Sequence, residues 1–160
     1  MEFTQFKKKK VFLRGRGGSD AQHKADEALY HELLQRHGEL ERETQRTENG
    51  IETVTRVISG DPKLVQMLQS HAVGMKKRFD GGRAVRSWDP LFVELFDNRD
   101  AIKLHWEMLE DGIKVILSSD DPSIRDLILR HDETLHAFVR HGFEAAKHES
   151  PYRAATEHSA

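Results

Sequence analysis

Two histidines stand at matching places in a phrase that the chain contains twice. The segment from Ser59 to His71, SGDPKLVQMLQSH, recurs sixty residues later as SDDPSIRDLILRH, which ends at His131. Each histidine follows an apolar residue, Leu68 or Ile128, by about one helical turn. If the two halves pack about a pseudo-two-fold axis, equivalent residues near that axis approach each other. This is the geometry that a bis-imidazole haem or a transition-metal site requires.

Two further side chains could complete such a site. Met75 follows His71 by four residues, so it shares the same helical face and could add a soft thioether ligand, and His31 is a reserve ligand. The pattern predicts His71, His131 and Met75 as haem ligands, and His71, His131 and His31 as ligands of a bare metal ion. The pattern is more typical of a structural role, in which each imidazole caps a helix or bonds a backbone carbonyl between the repeats.

The chain carries no recognised catalytic signature. His131, His136 and His141 are spaced by five residues, a step of about 140° around a helix, so they cannot share one face. Asp61 and Asp121 each precede a proline and are typical of helix starts rather than of an acid–base pair. We therefore expect a protein that binds rather than catalyses.

Composition narrows the partners and the chemistry. The chain has 160 residues, of which 37% are hydrophobic and 32% charged, with a formal net charge of −2 and no cysteine. Near-neutral charge removes a general attraction to nucleic acid, and no apolar run is long enough to span a membrane. No export signal is visible at the N-terminus, so a cytoplasmic location is expected unless a signal has been removed, in which case the location is periplasmic.

The first half predicts a helix, a hairpin and a second helix. Residues 1–19 are basic and rich in glycine, which predicts a flexible tail. From Asp20 a helix is predicted, with an apolar face made by Ala25, Leu29, Leu33 and Leu40. The dipeptide Asn49-Gly50 predicts a tight hairpin turn with positive φ at both residues.

The sequence predicts both the start and the end of the second helix of the first half. It should start at Asp61-Pro62 and stop near Gly82. Its predicted apolar stripe consists of Leu64, Val65, Leu68 and Val73.

The same order of predicted elements, a helix, a hairpin and a second helix, then repeats in the second half of the chain. Gly112 minus Gly50 gives 62, which predicts Gly112 at the centre of the second hairpin turn, and Leu95 minus Leu33 gives the same difference. The sequence therefore predicts an α+β fold made by tandem duplication of a helix–β-hairpin–helix unit, with four helices, about four antiparallel strands and pseudo-two-fold symmetry. The predicted repeats span 20–82 and 83–148, followed by a second flexible tail over 149–160.

The chain resembles a family of small bacterial proteins, often exported, some of which are labelled aspartate carbamoyltransferase. The resemblance rests on DEALYHELL, NGIETVT, DPKLVQMLQSHAVGM, WDPLF and GIKVILSSDDP. It implies that Asp26, His31, His71, Met75 and His131 are family positions. The STRTR and HPxQ motifs of that enzyme class do not occur in this chain.

Two hypotheses follow. The first is a non-enzymatic domain that binds haem or a transition metal between its two repeats. The second is a protein-interaction or scaffold module without a cofactor, which engages a protein partner or a second copy of itself. A Soret band or bound metal in the purified protein favours the first.

Overall fold

A computed structural model describes residues 21–83, 86 and 88–150. Over these residues the chain has an α+β fold, with a four-stranded antiparallel sheet and five α-helices. The tail predicted for residues 1–19, and the part of the second tail over 151–160, lie outside the described residues. Ser150 is held in the domain, since its Oγ donates to Asp89 Oδ2 at 2.8 Å.

The long helices begin where the sequence predicts. The helices are α1 (Ala21–Gln35), α2 (Pro62–Gly81), α3 (Pro90–Asp97), α4 (Pro122–His141) and α5 (Phe143–Ala146). Asp61, Asp89 and Asp121 cap α2, α3 and α4, each accepting from the backbone N–H two residues later. Proline then occupies the first turn, where its missing N–H leaves no bond unmade. Gly82 ends α2 with a φ of 71°, as its sequence position indicates.

The sheet is built from two hairpins that meet at its centre. The strands are β1 (Leu40–Thr47), β2 (Gly50–Val57), β3 (Lys103–Leu109) and β4 (Gly112–Ser118). Their order is β1-β2-β4-β3, and every neighbouring pair is antiparallel. A short 3-10 turn precedes each hairpin, over His37–Glu39 and Arg99–Ala101.

The first helix is shorter than its apolar spacing predicts. Leu40 was expected on the helix, but α1 ends at Gln35 and Leu40 is the first residue of β1. Arg36 fixes the bend, because its guanidinium bonds Glu39 Oε1 and Asp61 Oδ2, both at 2.7 Å. The pair with Asp61 ties the end of α1 to the start of α2, so a tertiary contact overrides the helical spacing.

The hairpin turns lie one residue earlier than predicted, and their glycines have a different role. Thr47 pairs with Gly50, so the turn residues are Glu48 and Asn49, and Gly50 does not have a positive φ. A Cβ on Gly50 would overlap the Leu117 carbonyl oxygen. Glycine is required there because β2 and β4 approach closely.

Gly112 repeats this arrangement in the second hairpin. It pairs with Leu109 and Arg56, so its predicted place at the centre of the turn is also wrong. A Cβ on Gly112 would overlap the Thr55 carbonyl oxygen. Close approach of strands, rather than left-handed backbone, again excludes a side chain.

One face of the sheet packs against the helices. Ile51 and Leu117 belong to a buried cluster with Leu127 and Ile128 of α4, whereas a second cluster joins strand residues to α2. Val73 was predicted on the apolar stripe of α2 but is 43% exposed. In the described part of the chain, no helix is both long and apolar enough to cross a bilayer.

Candidate ligand cavity

A cavity of about 270 Å³ lies between the helices and the inner face of the sheet. Both layers supply its wall, which is largely apolar and includes Leu33, Leu68, Leu95, Phe138, Leu104 and Val115. The volume is nearly twice the roughly 150 Å³ of an apolar cavity that accepts benzene. The fold therefore leaves room for an organic molecule in its core.

The cavity wall contains both histidines of the repeated phrase. His71 lies on α2 and stacks on Tyr30, with ring centroids 6.1 Å apart. His131 lies on α4 with its ring against Phe92, at a centroid distance of 5.2 Å. Met75 of α2 also reaches the wall.

His31, the reserve ligand, lies elsewhere. Its side chain is exposed, its ring is 5.7 Å from that of Phe143, and it does not line the cavity. The cavity thus brings His71, His131 and Met75 into one wall and leaves His31 outside it.

His71 and His131 do not make the hydrogen bond expected of a capping residue, whereas His37, also in the cavity wall, bonds the Val139 carbonyl through Nδ1 at 2.7 Å. The Nδ1 atoms of His71 and His131 are buried and have no hydrogen-bond partner in the described part of the chain. The structural role considered for these residues, a bond to a backbone carbonyl, is absent for Nδ1.

Both imidazoles are neutral at pH 7. Burial lowers the pKa of His71 to about 4, against a smaller opposing effect of the Asp26 carboxylate. Burial also lowers the pKa of His131 to about 4, with help from the Arg42 charge. A neutral imidazole keeps a lone pair, so it can accept a hydrogen bond or coordinate a metal.

A buried ion pair closes one side of the cavity. Arg86, another wall residue, binds Asp89 through Nη2 at 2.7 Å, and its guanidinium lies 4.9 Å from the Phe138 ring centre. The same group donates to the carbonyl oxygens of Ala146 and His148 at 2.6 and 2.9 Å. Arg86 therefore anchors the C-terminal segment beside the cavity.

A second buried ion pair lies at the inner face of the sheet. Arg42 of β1 binds Asp132 of α4 at 2.9 Å, with both side chains about nine-tenths buried. Thr44 donates to the same carboxylate at 2.8 Å and also bonds His136 Nε2. Arg42 lines the cavity, whereas Asp132, Thr44 and His136 do not.

Sequence reasoning did not identify these arginines as cavity residues. The sequence predicts Arg42 at the end of a first helical segment that runs from Asp20 to Arg42, and Arg86 in a linker between Gly82 and Trp88, where the second half restarts. The one available signal was the alternation of Leu40, Arg42 and Thr44, which places Arg42 on the same strand face as an apolar residue.

The cavity offers no ready site for a bare metal ion. No group of three or more His, Asp or Glu side chains within the described ranges is placed to hold one.

Comparison with known proteins finds no family model that matches the chain, and no curated protein or solved structure with significant similarity to it.

Proposed function

We propose that this chain is a non-enzymatic binding domain that holds one largely apolar organic molecule in its cavity. The cavity itself is the observation that carries the proposal, because native cores are close-packed and rarely leave an apolar space of about 270 Å³ between their layers. Its volume lies just under the roughly 300–1,000 Å³ typical of small-molecule pockets. A molecule of one to three rings, or a chain of comparable size, suits it.

Filling the cavity with a side chain tests this proposal. Ala72 of α2 lines the cavity, while the next residue, Val73, is exposed. We expect Ala72→Phe to weaken binding of the neutral fluorescent probe phenylnaphthylamine by at least about tenfold, which is 1.4 kcal/mol. Fluorescence titration measures this affinity.

The matched control is Val73→Phe, which adds the same ring on the solvent side and should leave the affinity unchanged. Equal affinities for Ala72→Phe and the wild type would place the probe outside the cavity. A protein that binds no probe but still self-associates would favour the interaction module.

A second candidate ligand is haem, which the two imidazoles favour. A bare ion needs about four protein or water ligands, whereas porphyrin supplies four nitrogens and asks the chain for one or two axial ligands. The neutral rings of His71 and His131 can act as such ligands, with Met75 in reserve. Haem takes second place for two reasons: its four-pyrrole ring is larger than the one to three rings that suit the cavity, and a ligating imidazole usually donates its other N–H, whereas here each Nδ1 lacks a partner.

Titration with hemin tests this candidate. If haem binds, the Soret shift of the wild type should differ from that of His71→Ala and from that of His131→Ala, because each variant loses an axial ligand. His105→Ala is the control, because His105 is exposed on β3 and does not line the cavity. The same shift in all four proteins would rule out axial ligation by His71 and His131.

We infer, further, that the two halves arose by duplication and are related by a pseudo-two-fold axis between β2 and β4. Matching contacts support this. Tyr30 meets His71 in the first half, and Phe92 meets His131 in the second. α2 and α4 are also equal in length, at 20 residues each.

The glycines of the two hairpins support the same relation. Gly50 faces the carbonyl oxygen of Leu117, and Gly112 faces that of Thr55, so each hairpin approaches the other in the same way. On this proposal, the cavity lies where two equivalent half-sites meet.

A further inference from the structure

The ionisable side chains of the cavity wall are unevenly distributed in sign. Among the described residues no Asp or Glu lines the cavity, while six basic or imidazole side chains do: Arg42, Lys76, Arg86, His37, His71 and His131. A cationic ligand would find no carboxylate in this wall. An anionic ligand could accept hydrogen bonds from these side chains, provided that some of their N–H groups do not already donate to other acceptors.

Two of the three permanent cations are already engaged. Arg86 uses Nε and Nη2 on Asp89, Nη2 also on the His148 carbonyl, and Nη1 on Tyr30 and the Ala146 carbonyl. All five of its N–H groups are thereby used. Lys76 bonds Asp80 at 2.6 Å and is about one-third exposed, so water can accept from its other N–H groups.

Arg42 is different, because it has buried N–H donors that no acceptor has yet satisfied. Its Nη2 donates to Asp132 at 2.9 Å and its Nη1 to Thr55 Oγ1 at 3.3 Å. Its Nε is buried without a hydrogen-bond partner. A guanidinium has five N–H groups, so these bonds leave donors free on a side chain that is only 9% exposed. A buried donor without a partner is costly, and a ligand acceptor would relieve that cost.

Thr55 adds a second donor beside Arg42. Its side chain lines the cavity from the neighbouring strand β2, and its oxygen accepts the bond from Arg42 Nη1. The hydroxyl proton of Thr55 is therefore free to point at a bound molecule. The adjacent wall residue Thr53 donates to the Val115 carbonyl instead. Arg42 and Thr55 together form a donor pair in an otherwise apolar wall.

We propose that the cavity selects an acid, namely a molecule with an apolar body and one carboxylate or similar anionic group that Arg42 and Thr55 bind. Charge-assisted hydrogen bonds from a guanidinium are among the strongest available to such a group. Asp132 does not line the cavity, and its carboxylate already balances the charge of Arg42. The anionic group of the ligand therefore supplies acceptors for the Arg42 N–H groups that Asp132 leaves unused. This inference rests on the proposed function, since it names the class of molecule that the same cavity holds.

Two probes with one ring system test the inference. Anilinonaphthalene sulfonate and phenylnaphthylamine differ in a single sulfonate, so the difference between their affinities isolates the anionic group. We expect the wild type to bind the sulfonate at least about tenfold more tightly. Arg42→Gln combined with Asp132→Asn removes the ion pair without leaving a lone buried charge, and should erase this preference while the affinity for the neutral probe stays within about twofold.

A matched control uses the half-exposed pair Arg56–Asp111 at 2.6 Å, since Arg56→Gln with Asp111→Asn removes the same charges outside the cavity. That variant should retain the preference for the sulfonate. If the Arg42 double variant does not fold, Arg42→Lys decides the matter, because it keeps the charge and loses the Nε donor. Arg42→Lys should weaken the binding of anilinonaphthalene sulfonate and leave the affinity for phenylnaphthylamine unchanged.

Three outcomes are distinguishable. A preference for the sulfonate that depends on Arg42 supports the inference. Equal losses for both probes, or no preference in the wild type, overturn it and leave the proposed function standing. Failure of the wild type to bind either probe overturns the proposed function as well.

Discussion

Replacing Asp89 by Ala should lower the free energy of unfolding by about 4 kcal/mol or more, because it leaves the Arg86 charge buried and uncompensated. Asp89 is 0% exposed and accepts from Arg86 at 2.7 Å. The same carboxylate caps α3 through the Leu91 N–H at 3.1 Å and holds Ser150 at 2.8 Å. Urea denaturation followed by circular dichroism measures the loss.

The control for this prediction is Asp121→Ala. Asp121 caps α4 through the Ser123 N–H at 2.9 Å but is exposed and makes no buried ion pair with an arginine. Loss of a cap alone costs about 1 kcal/mol. Similar losses in Asp89→Ala and Asp121→Ala would mean that the buried ion pair does not stabilise the C-terminal side of the cavity.

Acid should destabilise the protein well above the range in which carboxylates titrate. The pKa of His71 and that of His131 are lowered from 6.5 to about 4 in the folded chain. As the pH falls below 6.5, these two histidines bind protons in the unfolded state but not in the folded state. The free energy of unfolding is therefore highest near pH 7 and falls towards pH 4. Between pH 7 and pH 5 each histidine should remove roughly 2 kcal/mol of stability.

Denaturation at several pH values checks this. His71→Leu with His131→Leu should flatten the dependence of stability on pH between pH 7 and pH 5, whereas His105→Leu, at an exposed position, should not. Charges around the rings, namely Asp26 near His71 and Arg42, Asp132, Asp89 and Arg86 near His131, remain in both variants. An unchanged slope in the double variant would mean that these imidazoles titrate normally.

Local signals in the sequence were sufficient for element starts and stops. Asp61-Pro62 and Asp121-Pro122 set the helix starts through one side-chain acceptor and one missing N–H, which depend only on adjacent residues. Gly82 stops α2 for an equally local reason. The two hairpins and the α+β class follow from these signals and from the alternation between them.

Contacts between distant residues were not predictable from spacing. Leu40 leaves the helix because Arg36 bonds Asp61, a residue 25 positions away. Gly50 is needed because of Leu117, which lies on another hairpin. The same limit applies to the site, because spacing predicted that His71 and His131 are equivalent but gave no sign that Arg42 and Asp132, 90 residues apart, form a buried pair in the same region.

The claim that the cavity binds an organic molecule is tested most directly by nuclear magnetic resonance of isotope-labelled protein titrated with phenylnaphthylamine. Binding in the cavity should perturb methyl and amide signals of wall residues such as Leu68, Leu104 and Val115, and should leave Glu43 and Glu107, exposed residues of β1 and β3, unperturbed. Perturbations confined to the exposed residues of the sheet, or a spectrum unchanged at saturating probe, would contradict it.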